Sequence, residues 1–405
     1  MNAQISAPEF NQRAQGFFRW QVVDAATKEV VCESPGWIKN LILNNGMDRV
    51  SISPWCDLFT YGVAGTGTTP TSDDSGVTTA AQVGTAVTLT GGSFVFTSTI
   101  VDAGNVIKWD TGEEATISTV VSPTSVIVTN SVSVTGAEFT VYNTNQTGLV
   151  SEVKRSNTYL TGTPYCGTTI VGNVLEHRRT YDFTAEGGGT VNYTEVGVSW
   201  AAAGASTLFS RILLPGPVPV LNGQQLRLVY QLNVTLAPSA SAPKTAIING
   251  WPVSPAVTTD GDEQLQAYAV STVSTLGLIQ GIYGHYGNEP STGSTIGVYL
   301  STDASAPAAF GVGSTRSANV AYTNMGKLSY TTGSYYQDKS ATFAVGNGNR
   351  SDWNSMGFGA HSPNLYFCYQ QANNAYVFVF DEAQTKANTH TLTLNFRWSW
   401  SRVLA

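Results

Sequence analysis

From Leu226 to Leu236 every even position is apolar (Leu226, Leu228, Tyr230, Leu232, Val234, Leu236), while Arg227, Gln231, Asn233 and Thr235 fall between them. A period of two sends successive side chains to opposite faces, so this segment predicts a strand with one buried and one wet face. The C-terminus repeats the pattern: Leu392, Leu394, Phe396, Trp398 and Trp400 alternate with Thr391, Thr393, Asn395, Arg397 and Ser399. So apolar a strand would invite aggregation if its edge were free. It is therefore expected to be central in a sheet or packed against a partner subunit, and deletion of residues 391–405 is expected to abolish soluble assembly.

The rest of the chain agrees with a β reading. Charged residues make up 12% of the 405 residues, against roughly 25% in ordinary domains. Val, Thr, Ser and Tyr are plentiful and glycine is abundant, a balance that favours strands and tight turns. The best helical candidate is Trp37–Val50, where Ile38, Leu41, Ile42 and Val50 could form a stripe, but Asn44-Asn45-Gly46 interrupts it and leaves room only for a short helix around this point. A length of this order accommodates two or three domains with cores of their own.

Two turn-rich stretches, Gly65–Gly76 and Ala237–Thr245, suggest boundaries. Between Ala81 and Asn145 lie short β-rich runs with glycine turns, enough for a compact barrel of four to six strands. The expected architecture is all-β. Residues 1–80 and 146–240 form a discontinuous antiparallel β-sandwich, 81–145 a small inserted β-barrel-like domain, and 241–405 a second sandwich-like region whose last strand could rejoin the first.

The net charge of −7 provides no cationic footprint for nucleic acid. Arg178 and Arg179, beside His177, read as a solvated strand face. Cys32, Cys56, Cys166 and Cys368 have no zinc spacing and read as buried free thiols. A Cys32 to Cys56 bridge stays open, because sequence cannot place the two side chains within bonding distance. The first twenty residues lack the pattern of a signal peptide, and no apolar run reaches the ~18 residues of a membrane span. A soluble product of the cytoplasm, without membrane insertion, is expected.

Four blocks carry a resemblance. They are Asn40–Asp48 (NLILNNGMD), Tyr61–Thr71 (YGVAGTGTTPT), Gly148–Ser156 (GLVSEVKRS), and the run from TYDFTAE at Thr180 through VNYTEVGVSW to Leu236. Together, over about residues 15–240, they resemble a pattern common among tail-fibre and other virion-surface proteins of tailed bacteriophages. The resemblance implies a virion structural role at a fibre, spike or baseplate, contacts with other virion proteins, commonly a homotrimer, and contribution to host attachment. It carries over no catalytic residue. A head-surface or neck fibre protein is the alternative address, and a surface-polysaccharide hydrolase the alternative chemistry.

Motifs for chemistry are sparse. Gly65 and Gly67 begin a G-x-G with no third glycine, and there is no phosphate loop, zinc-binding His-Glu motif or nucleophile elbow. His177, His285, His361 and His390 are far apart and read as ordinary histidines. Asp260, Asp262 and Glu263 offer hard oxygen ligands around a turn glycine but lack the full calcium-loop pattern, and read as a polar hairpin. No metal, cofactor or catalysis is expected. The aromatic-rich loops of the last third mix rings with amides and charges, as binding of a host cell-surface glycan or a partner would require. The candidate patch is Trp353 with Asp352 and Arg350, then Tyr283, His285 and Tyr286.

Overall fold

The structure is a computed structural model. It describes residues 9–236, apart from 52, 54, 98, 99, 162–165, 172 and 173. Of the remainder it describes 3–4, 244–249, 262–269, 295–301, 315–316, 320–327, 329–361, 372–386, 388–389 and 391–404. Their regular structure is almost entirely strand, mostly paired antiparallel.

The N-terminal strands are β1 (Ala3–Gln4), β2 (Glu9–Asp24), β3 (Val30–Glu33), β4 (Ile38–Ile42) and β5 (Tyr61–Gly65). Next come β6 (Ser72–Asp74), β7 (Thr79–Val83), β8 (Ala86–Gly91), β9 (Val106–Trp109), β10 (Glu114–Ser122), β11 (Ser125–Val128), β12 (Val134–Ala137) and β13 (Phe139–Tyr142). They are followed by β14 (Glu152–Ser156), β15 (Tyr159–Leu160), β16 (Gly167–Val171), β17 (Val174–Asp182), β18 (Val191–Ser199), β19 (Leu208–Val220) and β20 (Gln224–Leu236).

One layer is built on the long pair β2 and β20, in register from Gln12 opposite Leu236 to Asp24 opposite Gln224. That register sets Phe18 beside Tyr230 and Val22 beside Leu226, so the even positions of both strands share the buried face. On the far side of β20 lies β17, with Tyr181 opposite Leu228, and then β16 and β15. The second layer runs β14–β5–β18–β19. The two layers are joined by β4, whose Ile38–Asn40 pair with β2 and whose Leu41 and Ile42 pair with β19.

Between the layers, the Tyr230 ring centroid lies 4.9 Å from that of Phe18, 5.0 Å from Phe59 and 6.4 Å from Phe209. Gly16 is the one residue small enough for its place, since a Cβ there would lie 2.7 Å from the Tyr230 hydroxyl.

Residues Asn44–Arg49 form a short helix, α1. The Asn-Asn-Gly sequence thus lies within a helix rather than interrupting one, and the earlier part of the expected helical stripe is β4. The glycine serves close packing: a Cβ on Gly46 would come within 2.6 Å of the Phe209 carbonyl oxygen, so the helix can lie directly on β19.

Strands β6 to β13 form a separate, nearly closed barrel-like sheet, of eight strands rather than the four to six expected, in the order β12–β7–β8–β11–β10–β9–β13–β6. It is filled by its own core, including Trp109, Ile117, Val126 and Phe139. The chain enters and leaves at adjacent points, for the Asn143 amide donates to the Thr71 carbonyl at 2.9 Å. Val106 and Tyr142 of this unit pack with Leu41, Leu43, Val63 and Leu208 on the outside of the second sandwich layer.

The later strands are β21 (Lys244–Asn249), β22 (Asp262–Ala269), β23 (Thr295–Ser301), β24 (Thr315–Arg316), β25 (Val320–Lys327), β26 (Tyr336–Phe343), β27 (Arg350–His361), β28 (Ala372–Lys386) and β29 (Leu392–Arg402). The last is central. It pairs antiparallel with β26 on one side, and on the other runs parallel to Glu9–Ala14 of β2. Leu300, Phe343, Trp353, Leu392 and Trp400 accordingly belong to the same buried cluster as Phe18 and Tyr230.

Candidate ligand-binding face

The alternation that buries the apolar side of the first layer turns polar side chains to the other side. There Arg13, Lys39 and Glu33 are exposed, while Thr180, Arg227 and Gln231 are themselves buried. In one cross-strand row, Arg178 of β17 stands opposite Gln231 of β20, then Phe17 of β2, then Lys39 of β4. Two residues along, Thr180, Val229 and Arg19 form the next row, followed by Asp182, Arg227, Gln21 and Glu33.

Side-chain bonds hold this surface in order. The Arg178 Nη2 donates to Gln231 Oε1 at 2.7 Å, and Gln231 Nε2 donates to Asn233 Oδ1 at 2.9 Å. Arg227 grips Asp182 through two bonds, 2.6 and 3.0 Å. Gln21 Nε2 donates to Glu33 Oε2 at 2.8 Å, which also accepts from Arg19 Nη2 at 3.3 Å. Such fixed donors and acceptors lower the ordering cost of binding a ligand.

Trp37, just before β4, is 40% exposed on this surface. Two guanidiniums lie over its ring, Arg178 at 5.3 Å and Arg19 at 5.7 Å from the centroid. Beyond β2 the surface continues over β29 and β26. There Arg397 is doubly bonded to Asp338 and lies 3.9 Å over the Tyr336 ring. The bond from Arg397 holds the Asp338 carboxyl below the usual carboxylate range.

The basic run is divided between faces. Arg178 points outward to Trp37, whereas His177 and Arg179 turn inward, His177 edge-on to Phe59 at 5.0 Å and Arg179 donating to the Phe59 carbonyl at 2.9 Å. Burial, aided by the Arg179 charge, pushes the His177 pKa down to about 4. The reading of this run as one solvated face is therefore corrected: period two cannot send neighbours to the same side.

Other ionic groups tie segments together. Glu195 and Arg211, both fully buried, are joined at 2.9 Å. Glu195 also accepts from the Gly67, Val150 and Ser151 amides at 3.0, 3.2 and 2.8 Å. Arg211 also donates to the Thr69 carbonyl at 2.7 Å and to Gln146 Oε1 at 2.9 Å. Burial lowers the Arg211 pKa, and the Glu195 charge opposes that shift. This clamp lies where the chain departs for the barrel and returns, and unites the glycine-rich block, GLVSEVKRS and β18.

Of the sequence candidates, Trp353 is part of the core, 1% exposed, with Nε1 donating to the Gly348 carbonyl at 2.8 Å. Its ring face is therefore not presented to a ligand, because the mate of its polar edge is the chain's own backbone. Asp352 beside it is half-buried, and Arg350 opens β27 opposite Lys386. Tyr283, His285, Tyr286 and Asp260 lie outside the described residues. Asp262 and Glu263 stand in a strand, opposite Asn249 and Ile248, rather than in a ligand-wrapping loop. Cys32 is free and exposed and Cys166 is free and half-buried, so no Cys32 to Cys56 bridge forms and the expectation of buried thiols fails at both.

Trp37, Arg19 and Gln231 escaped the sequence reading. The outward phase of the alternation contained the signal for Arg19 and Gln231, but Trp37 precedes its strand and joins them only through folding. The chain matches no known protein family, no curated protein and no solved structure.

Proposed function

We propose that this chain is a structural protein of a bacteriophage particle, a fibre, spike or baseplate component of the tail. In this reading it is homo-oligomeric, with a trimer favoured by the resemblance, and contributes to host-surface attachment rather than catalysis. The observation that carries the reading is the outer face of the first layer: a wide sheet surface with its amides and charges already bonded into position around an exposed Trp37. Adhesion needs such a surface, since aromatic and arginine side chains dominate binding energy where they are held rigidly. The four sequence blocks support the same reading. They contribute α1, β5, the Glu195 clamp and the β17–β20 framework.

The test is particle labelling together with competition. Antibodies against the purified chain should decorate tails, and the chain added to host cells in advance should slow phage adsorption. Decoration confined to heads or necks would move the address, and failure of both experiments would reject the reading. Release of reducing ends from host polysaccharide by the purified chain would replace it with a hydrolase.

A further inference from the structure

We infer that the Trp37 patch is a subsite for an acidic sugar residue, a uronic or sialic acid unit of a surface polysaccharide. This rests on the attachment reading above. A pyranose ring presents a C–H face that packs on an aromatic ring, and Trp37 is a tryptophan left 40% exposed. A carboxylate on that sugar needs cations nearby. The guanidiniums of Arg178 and Arg19 lie over the Trp37 ring, 5.3 and 5.7 Å from its centroid. Guanidinium groups match a carboxylate in planar, two-bond geometry.

Charge points the same way. The whole chain carries −7. On the strands of this face from Arg13 onward, the outward side chains include Arg13, Arg19, Lys39, Arg178 and Arg227 against Glu33, Glu176 and Asp182, an excess of two positive charges. A local positive field on a negative protein attracts anions to that place selectively. The hydroxyls of the sugar find Gln21, bonded to Glu33, and Asn233, bonded to the buried Gln231. Glu33 opposes the ligand. It holds Arg19 through a single 3.3 Å contact between half-exposed groups, a weak pair that an incoming carboxylate can displace.

The experiment is affinity electrophoresis of the full chain in gels containing polygalacturonate, alginate or polysialic acid, with dextran and carboxyl-reduced galacturonan as neutral counterparts. The expected result is retardation by at least one acidic polymer, reduced by salt, and none by the neutral ones. Trp37→Ala and Arg178→Gln should each weaken retention by about tenfold or more, the scale of one charge-assisted contact. Glu33→Gln should strengthen it, an outcome that loss of folding cannot mimic. Equal retention by neutral polymers, retention by no acidic polymer, or three variants indistinguishable from the parent would each overturn the inference. Should Trp37→Ala still block phage adsorption as well as the parent, the acidic-sugar subsite fails while attachment stands. Should the chain bind acidic polymers yet label no particle, the subsite stands and attachment fails.

Discussion

His177 and Arg178 are neighbours in sequence that face opposite sides of one strand, and their chemistry diverges accordingly. Below the ordinary histidine pKa of about 6.5 the unfolded chain protonates His177, while the folded chain resists until about 4. The unfolded state therefore binds more protons in that window, and stability falls as pH drops through it. Relative to its value above pH 6.5, the loss from this group approaches about 3 kcal/mol near pH 4, at about 1.4 kcal/mol per unit. Urea denaturation of the parent and His177→Gln at pH 7 and pH 4.5 should give a shallower decline in the variant; parallel declines would show that His177 does not titrate this way. The Glu195 clamp is a second test. Glu195→Ala leaves the buried Arg211 guanidinium without its counter-charge and three backbone amides without their acceptor. Removing one partner of a buried pair costs about 3–5 kcal/mol, so a large drop in urea midpoint is expected, with new protease cleavage near Val150. Neither residue's role was legible beforehand: alternation tells which side a residue faces, not which distant segment waits there.

At the scale of elements, legibility followed period. In the Leu226–Leu236 segment Leu226, Leu228, Tyr230, Leu232 and Val234 are all buried as the alternation predicts. Arg227 and Gln231 between them, expected on the wet face, are buried as well, beneath their bonds to Asp182 and Arg178. Where both faces are covered, as in β18, the alternation vanishes: Glu195 through Ser199 are all buried, between the sandwich core and the segments laid over its back. The change of texture after Ala81 marked the barrel, whose first strand begins earlier, at Ser72, within what reads as a polar turn-rich loop. Turn residues conceal a short edge strand because its backbone pairing, not its side chains, defines it. The barrel's own core and its touching ends make it excisable. Replacing residues 72–142 by a short Gly-Ser linker should leave a folded sandwich with unchanged near-ultraviolet circular dichroism from its own aromatics. The cost is exposure of Leu41, Leu43, Val63 and Leu208, so the excised protein should bind a hydrophobic dye that the parent does not. A chain that unfolds on excision would make the barrel an integral part of the sandwich.

Across the whole molecule, the two ends of the chain meet on β2, and the later half is fastened to the first by a few side chains around α1. Asp48 accepts from the Tyr330 hydroxyl at 2.5 Å and the Gly333 amide at 2.7 Å, and Tyr335 donates to Asn44 at 3.0 Å. From β29, Trp400 Nε1 donates to the Met47 carbonyl at 2.7 Å while its ring stacks on Tyr330 at 5.7 Å, and Arg402 donates to the Ile42 carbonyl at 3.0 Å. The NLILNNGMD block is thus the seat on which the C-terminus closes, a role that its sequence alone could not disclose because every partner lies nearly three hundred residues or more away. Long-range parallel pairing forms late and leaves open edges until it does. Deleting residues 391–405 would strip β26 and the Glu9–Ala14 edge of β2 together, so the truncated chain should aggregate. Trp400→Ala, which keeps the strand but removes the wedge over α1, should fold with a loss of about 3–5 kcal/mol, the usual scale for a buried tryptophan. Sedimentation of the truncation and thermal unfolding of Trp400→Ala separate the two contributions, edge protection and packing. A soluble truncation with the parent's melting temperature would mean that β29 merely rests on the sandwich, and the chain's two halves would then be independent bodies.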